Sequence, residues 1–233
     1  MERHRLSRQQ VRQDAYRVAG SVNAHVSLIG PTLIVLAAIL LQLTFSHKVT
    51  VGPRWLLPAL EALLLLALVV SSPREQARHK RTHTLALALI GLVSAANIVS
   101  LGLLAHELLR GGTNHGRPLI GSGVVLWVTN VLLFGLWYWA LDRGGPLARE
   151  VRHEALPDFL FPQMQDPKFS PDGWRPGLVD YMYTSFTNAT AFSPTDTMPL
   201  TPTAKWLMSA QSLASLVTVG LVVARAVNIL PGP

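Results

Sequence analysis

The sequence predicts an all-α membrane protein with about five transmembrane helices and a re-entrant, pore-loop-like helix before the last. Three observations carry that prediction. Hydrophobic residues make up 49% of the 233 residues and charged residues only 14%, where soluble domains carry about a quarter. Five apolar runs approach or exceed the roughly 20 residues of helix that a bilayer core requires. Between the fourth and fifth runs lies a polar stretch, residues 177–203, that fits neither a span nor a short connection. The chain has no cysteine, which excludes a disulfide scaffold, thiolate metal sites and cysteine nucleophiles.

Residues 1–20 form a cytoplasmic N-terminal segment. The polar MERHRLSRQQVRQDAYR reads as a short helix on the membrane surface or a solvated tail. Residues 21–141 form a four-helix transmembrane region, with spans at 22–46, 56–72, 84–105 and 118–141. The final span is 206–230. Together the five cover 113 residues, nearly half the chain. The first is too long in its apolar core, and lacks the A-x-A site, for a cleavable signal peptide.

Charge orients the spans. Twelve basic residues precede span one (Arg3, Arg5, Arg8, Arg12, Arg17), join spans two and three (Arg74, Arg78, Lys80, Arg81) or follow span four (Arg143, Arg149, Arg152). The alternate connections hold four: Lys48, Arg54, Arg110 and Arg117. The positive-inside rule puts the N-terminus in the cytoplasm of a plasma-membrane protein. The net charge of +7 thus reports orientation and lipid contact and predicts no nucleic-acid partner. Trp55, Trp137, Tyr138, Trp139 and Trp206 mark span ends, as interfacial rings do.

Residues 142–176 are a polar connecting loop, rich in Pro and Gly, with an apolar patch at 158–162. The unit 177–233 is a pore-loop-like helix and the final span. Positions 177–192 are long enough for four helical turns but too polar to face lipid, with Asp180, Thr184, Ser185, Thr187, Asn188 and Thr190. Pro194 then prevents continuation of the helix. A half-length polar helix, an extended segment and a full apolar helix form a re-entrant pattern. Irregular backbone at membrane depth is tolerated only when buried in protein or lining a cavity. The plainer reading is an extramembrane loop with a surface helix.

Polar residues also enter the spans. Gln211, Ser215, Thr218 and Arg225 share one helical face, either pore-lining or helix-packing. Asn97 falls on a face with Ser94, Ser100 and Glu107, and Asn130 follows Thr129. Glu61 lies about a third of the way into span two. A carboxylate there is a functional candidate by default, or an acid bonded to a neighbouring helix through Asn97 or Asn130. Nothing suggests an enzyme or a cofactor. His79 and His83, His106 with Glu107, His115, and His153 with Glu154 are scattered and predict no metal site. Asp172, Asp180 and Asp196 could gather at one site usable by a membrane hydrolase or transferase, but such loop carboxylates read more simply as solvated or capping. The glycosylation sequon at Asn188 would be inaccessible in a re-entrant site.

Two family resemblances rest on these residues. The run from Ser185 through Asp196 is similar, without a gap, to the pore helix and filter of tetrameric potassium channels. Ser185, Ala189, Thr190, Asp196 and Pro199 fall at shared positions. Ser193 and Thr195 stand where that filter has glycines, and Pro194 where it has tyrosine. A ring of inward carbonyls needs the dihedrals glycine allows, so the resemblance implies weak selectivity. The second resemblance is to a bacterial integral membrane family, domain of unknown function 1345. Asp180, Tyr183, Ser185, Phe186, Thr195, Asp196, Val227, Asn228 and the Phe161-Pro162 pair carry it. It implies no known activity.

The channel resemblance implies a homo-oligomer, most simply a tetramer, in which Thr190, Ala191, Phe192, Ser193, Pro194, Thr195 and Asp196 form a constriction for monovalent cations. The alternative is a non-conducting membrane protein or transporter of the uncharacterised family. One tension accompanies the channel reading: four spans and a cytoplasmic N-terminus start the 142–203 connection in the cytoplasm, whereas a potassium-channel filter faces outward. The loop dips from the cytoplasmic side, or 177–192 crosses, or one span is miscounted.

Overall fold

A computed structural model describes residues 29–44, 53, 55–70, 76–110, 116–151, 156–166, 168, 174–191 and 196–229. The N-terminal segment and positions 192–195 of the expected constriction lie outside them. The described chain is mostly helical: α1 (Ile29–Gln42), α2 (Leu56–Val70), α3 (Gln76–Leu109), α4 (Gly116–Leu141), α5 (Pro146–Val151), α6 (Pro162–Gln165), α7 (Leu178–Ala191) and α8 (Pro202–Ile229). Two short strands, β1 (Phe159–Leu160) and β2 (Met198–Pro199), pair antiparallel. Residues 142–176, expected as one polar loop, therefore carry α5, β1 and α6.

Three helical segments are long and apolar enough to cross a membrane: His83–Leu109, Pro118–Gly144 and Pro202–Val227. They correspond to the third, fourth and last expected spans. Residues Ile29–Gln42 and Leu56–Val70 form shorter apolar helices within the first two. The surface is inside-out relative to a soluble domain. Leu33, Leu63, Leu66, Ile98, Leu213 and Val223 are exposed, while Glu61, Thr129, Asn130, Gln211 and Ser215 are buried. Hydrocarbon solvates apolar side chains and leaves polar groups to find partners within the protein.

The fold is organised around α4, which packs against α3, α7 and α8. Along α8, Gln211 meets Tyr138, Ser215 meets Asn130 and Val222 covers Gly123, so α8 runs antiparallel to α4. Along α7, Tyr181 meets Asp142, Met182 covers Gly135, Ser185 meets Val131 and Phe186 meets Trp127. Thus α7 also descends antiparallel to α4, through about 21 Å for its 14 residues.

The chain then turns back. Thr197 lies beside Thr184, their hydroxyls 3.1 Å apart. Met198 and Pro199 pair with Leu160 and Phe159, and Leu200 N–H donates to the Asp158 carbonyl at 2.8 Å. Both α7 and α8 consequently begin at the end of the bundle where α4 finishes. Pro202 opens α8 at a position where a missing N–H costs nothing, and the Thr201 hydroxyl accepts the Ala204 N–H. The α7 start is closed by Asp180, which accepts the Gly177 N–H at 2.7 Å.

Termination of α4 takes three consecutive positive-φ residues, Arg143 (54°), Gly144 (81°) and Gly145 (101°). At Gly145 a side chain would meet the His83 ring and the Ala140 carbonyl, both within 3 Å. His83 itself sits 3.1 Å from that carbonyl through Nε2, fastening the start of α3's apolar segment to the end of α4.

Candidate functional site: a helix-and-return seated on a polar core

The polar faces of α4, α7 and α8 meet in one buried hydrogen-bond network. At its centre the Gln211 Oε1 accepts from the Tyr138 hydroxyl and from Asn188 Nδ2 at 2.9 Å. Gln211 Nε2 donates to the Ser185 hydroxyl at 2.6 Å and its carbonyl at 2.9 Å. The Ser185 hydroxyl in turn donates to the Val131 carbonyl at 2.7 Å. Asn188 also reaches the Met208 carbonyl at 3.0 Å and accepts from Ser212 at 3.1 Å. Asn130 donates to Ser215 at 3.0 Å. A fully satisfied network of this kind fixes one packing register, because slipping a helix by one residue would orphan several buried groups at once.

Sequence periodicity placed Gln211, Ser215, Thr218 and Arg225 on one face, and the structure buries all four inside a single chain. Gln211 and Ser215 face α4 and α7. Thr218 returns its proton to the Ala214 carbonyl of its own helix. Asn130 joins this network, while Asn97 is buried elsewhere with its Oδ1 unbonded among the described residues. Neither amide partners Glu61. The acid's hydrogen bond comes from Gln42 of α1, Nε2 to Oε1 at 3.3 Å.

The aromatic residues at the end of span four divide in a way that interfacial preference does not describe. Trp55 and Trp206 are exposed, but Tyr138 and Trp139 are buried. Trp137 donates its indole N–H to Ser94 at 3.0 Å. Tyr138 is held by hydrogen bonding to Gln211 and by tilted stacking on Phe159, ring centres 4.9 Å apart.

A second cluster fastens both ends of the connecting segment. Asp142, fully buried, accepts from the Tyr181 hydroxyl and from the Asp158 N–H at 2.8 Å. Asp158 accepts from the Arg143 N–H at 2.7 Å and from the Thr201 hydroxyl at 2.6 Å. Arg149 donates to the Trp139 carbonyl at 2.6 Å and the Asp142 carbonyl at 3.2 Å, and its guanidinium lies over the Tyr181 ring at 5.1 Å. Burial pushes the Tyr181 phenol up, so it keeps its proton and donates to the carboxylate. The apolar patch 158–162 is the anchor of this cluster: Phe159 and Phe161 are buried against Tyr138, Tyr181 and Trp174.

Of the expected constriction, Thr190, Ala191 and Asp196 are described. Thr190 is exposed at the foot of α7, and its hydroxyl returns to the Phe186 and Thr187 carbonyls. Ala191 is the last residue of α7 and Asp196 is exposed on the return. Phe192, Ser193, Pro194 and Thr195 lie outside the described residues. Sequence reasoning missed Tyr138, Ser212, Gln42, Asp142 and Arg149 as partners. Ser185 and Asn188, three apart on α7, carried the visible signal of a shared polar face; Asp142 and Arg149 carried none.

No three His, Cys, Asp or Glu side chains gather as a metal cluster among the described residues. Comparison with family models, with curated proteins and with solved structures finds no match to this chain.

Proposed function

We propose that this chain is a multi-pass plasma-membrane protein with a cytoplasmic N-terminus and five spans, in which α7 and its return form a re-entrant hairpin carrying a weakly selective cation path. One observation carries the reading: α7 descends beside α4 and the chain comes back to pair β2 with β1. The foot of α7, at Thr190 and Ala191, thereby lies away from the end where both arms begin. On the charge rule that end is cytoplasmic, so the hairpin dips from the cytoplasmic side. This is one of the three ways to reconcile the pore-loop resemblance with the basic loops.

At the foot of a half-helix, the last carbonyls and the negative end of the dipole favour cations. Exposed Thr190 adds a hydroxyl there, and exposed Asp196, next to Thr197 on the return, adds a carboxylate nearer the level of Thr184. Such a path forms between copies, most simply four around an axis. The polar face of α8 is already consumed within one subunit. Without filter glycines the path discriminates weakly between monovalent cations.

The complete satisfaction of the Gln211 network favours a second reading. There the hairpin is packed into the bundle as a structural element, and the protein is a non-conducting relative of the uncharacterised bacterial family. Cation flux into liposomes, read beside native mass spectrometry, separates the two. The cation path requires an oligomer and flux that falls on Asp196→Ala and Thr190→Ala. A strict monomer, or flux unchanged in both variants, overturns it.

A further inference from the structure

Gln42 and Glu61 form a second polar place, apart from the α4–α7–α8 network. Gln42 is the last residue of α1 and Glu61 lies in the second turn of α2, so the pair sits toward the end of the bundle where α1 finishes and α2 begins. Glu61 is completely buried and Gln42 is 5% exposed. Among the described residues the carboxyl receives one hydrogen bond, from Gln42 Nε2 to Oε1 at 3.3 Å, and Oε2 has no partner.

Among the described residues the surrounding helices supply nothing to balance a charge. Residues 29–42 of α1, the rest of α2, residues 84–105 of α3 and residues 118–141 of α4 contain no Asp, Glu, Lys, Arg or His besides Glu61. Tyr138, the one titratable group among them, is committed to Gln211. His83, His106, Glu107 and Arg110 stand beyond the ends of the α3 stretch, and His47, Lys48 and Arg54 of the α1–α2 connection lie outside the described residues. An ionised carboxylate with a single amide donor in such surroundings is an uncompensated buried charge. It needs an occupant. A metal cation asks for about six oxygen ligands, and here two carboxyl oxygens and one amide oxygen are on offer. A proton asks for one oxygen, and Oε2 is free.

We propose that Glu61, oriented by Gln42, is a proton-binding site within the membrane domain. It exchanges with the medium at the α1–α2 end, which is the outer side on the charge rule. The Gln42 amide fixes Oε1 as acceptor, leaving Oε2 to carry the proton. Release leaves a charge with that single donor, so deprotonation is coupled to a rearrangement of α1 against α2.

The test is reaction of the full-length protein in nanodiscs with dicyclohexylcarbodiimide, mapped by peptide mass spectrometry. This reagent takes the proton of an undissociated carboxyl onto nitrogen while the carboxyl oxygen attacks its central carbon. The expected result is an adduct on Glu61, absent in Glu61→Gln, whose yield falls about tenfold per pH unit above the midpoint and is unaffected by sodium chloride at fixed pH. No adduct at any pH from about 5 to about 9 overturns the proposal. Suppression by sodium at fixed pH also overturns it, by making the occupant a metal cation. An infrared carbonyl band of a protonated carboxyl, lost in Glu61→Gln and shifted in Gln42→Leu, reads the same proton without a reagent; its absence from the parent protein rejects the site.

Discussion

Replacing Gln211 by leucine tests the central network, because that side chain hydrogen-bonds to both α4 and α7. Four hydrogen bonds disappear: those with the Tyr138 hydroxyl, Asn188 Nδ2, and the carbonyl and hydroxyl of Ser185. The consequences are unequal. Ser185 keeps the Val131 carbonyl and Asn188 keeps the Met208 carbonyl. The Tyr138 proton has no other acceptor among the described residues. The orphaned hydroxyl costs about 1–3 kcal/mol, and the remaining lost bonds about 0.6 kcal/mol each in a membrane setting. The expected destabilisation is about 3–5 kcal/mol. Removing the orphan as well, in Gln211→Leu with Tyr138→Phe, should recover about 1–2 kcal/mol relative to the sum of the single changes. Reversible unfolding in mixed micelles with increasing dodecyl sulfate, followed by the fluorescence of the six tryptophans, measures all three variants. A Gln211→Leu protein within about 0.5 kcal/mol of the parent, or strict additivity in the double variant, would refute the network as drawn.

Three further outcomes follow from other contacts. A methyl group at Gly123 would lie 2.3 Å from a Val222 methyl; Gly123→Ala should cost about 1–3 kcal/mol in the same unfolding assay, and Val222→Ala should restore most of it. Asp158→Ala removes acceptors for the Arg143 N–H and the Thr201 hydroxyl and should cost about 2 kcal/mol, with hydrogen exchange rising first at β2 and the α8 start while α3 stays protected. Because the chain has no native cysteine, single cysteines report topology without background. Lys205→Cys and Leu156→Cys, both exposed, should react with impermeant maleimide only from the cytoplasmic face, and exposed Leu109→Cys only from outside. Reaction of Lys205→Cys and Leu109→Cys from one face would reject the orientation.

The long helices were legible in the sequence because apolar length is a direct physical requirement of a bilayer. The third, fourth and last expected spans match helices of spanning length within a few residues. The polar helix before the last span was legible for a related reason: Pro194 and the density of Thr, Ser and Asn rule out a lipid-facing continuation. What α7 touches was not. Its partners on α4 and α8 lie 20 or more residues away in sequence, and periodicity gives a face without naming its neighbour. The same limit misassigned Glu61, whose partner proved to be Gln42 and neither asparagine. It also assigned Tyr138 to the membrane interface, where aromatic enrichment is the average rule and a hydrogen bond to Gln211 the particular fact.

The partners of the hairpin have an order in time as well as in space. Ribosomes deliver α4 first, then α7, and only afterwards the residues that satisfy it: Met208, Gln211 and Ser212, together with β2 for the β1 edge. Until α8 has left the ribosome, Asn188 lacks every partner it has on that helix and β1 has no second strand. The half-helix can meet α4 early, through Ser185 and Tyr181, but its α8-facing groups stay unsatisfied until then. Completion of its docking is a late step of biogenesis, timed by the emergence of the final helix. A chain truncated before Met208 would present an unsatisfied polar helix to the quality-control machinery of the membrane.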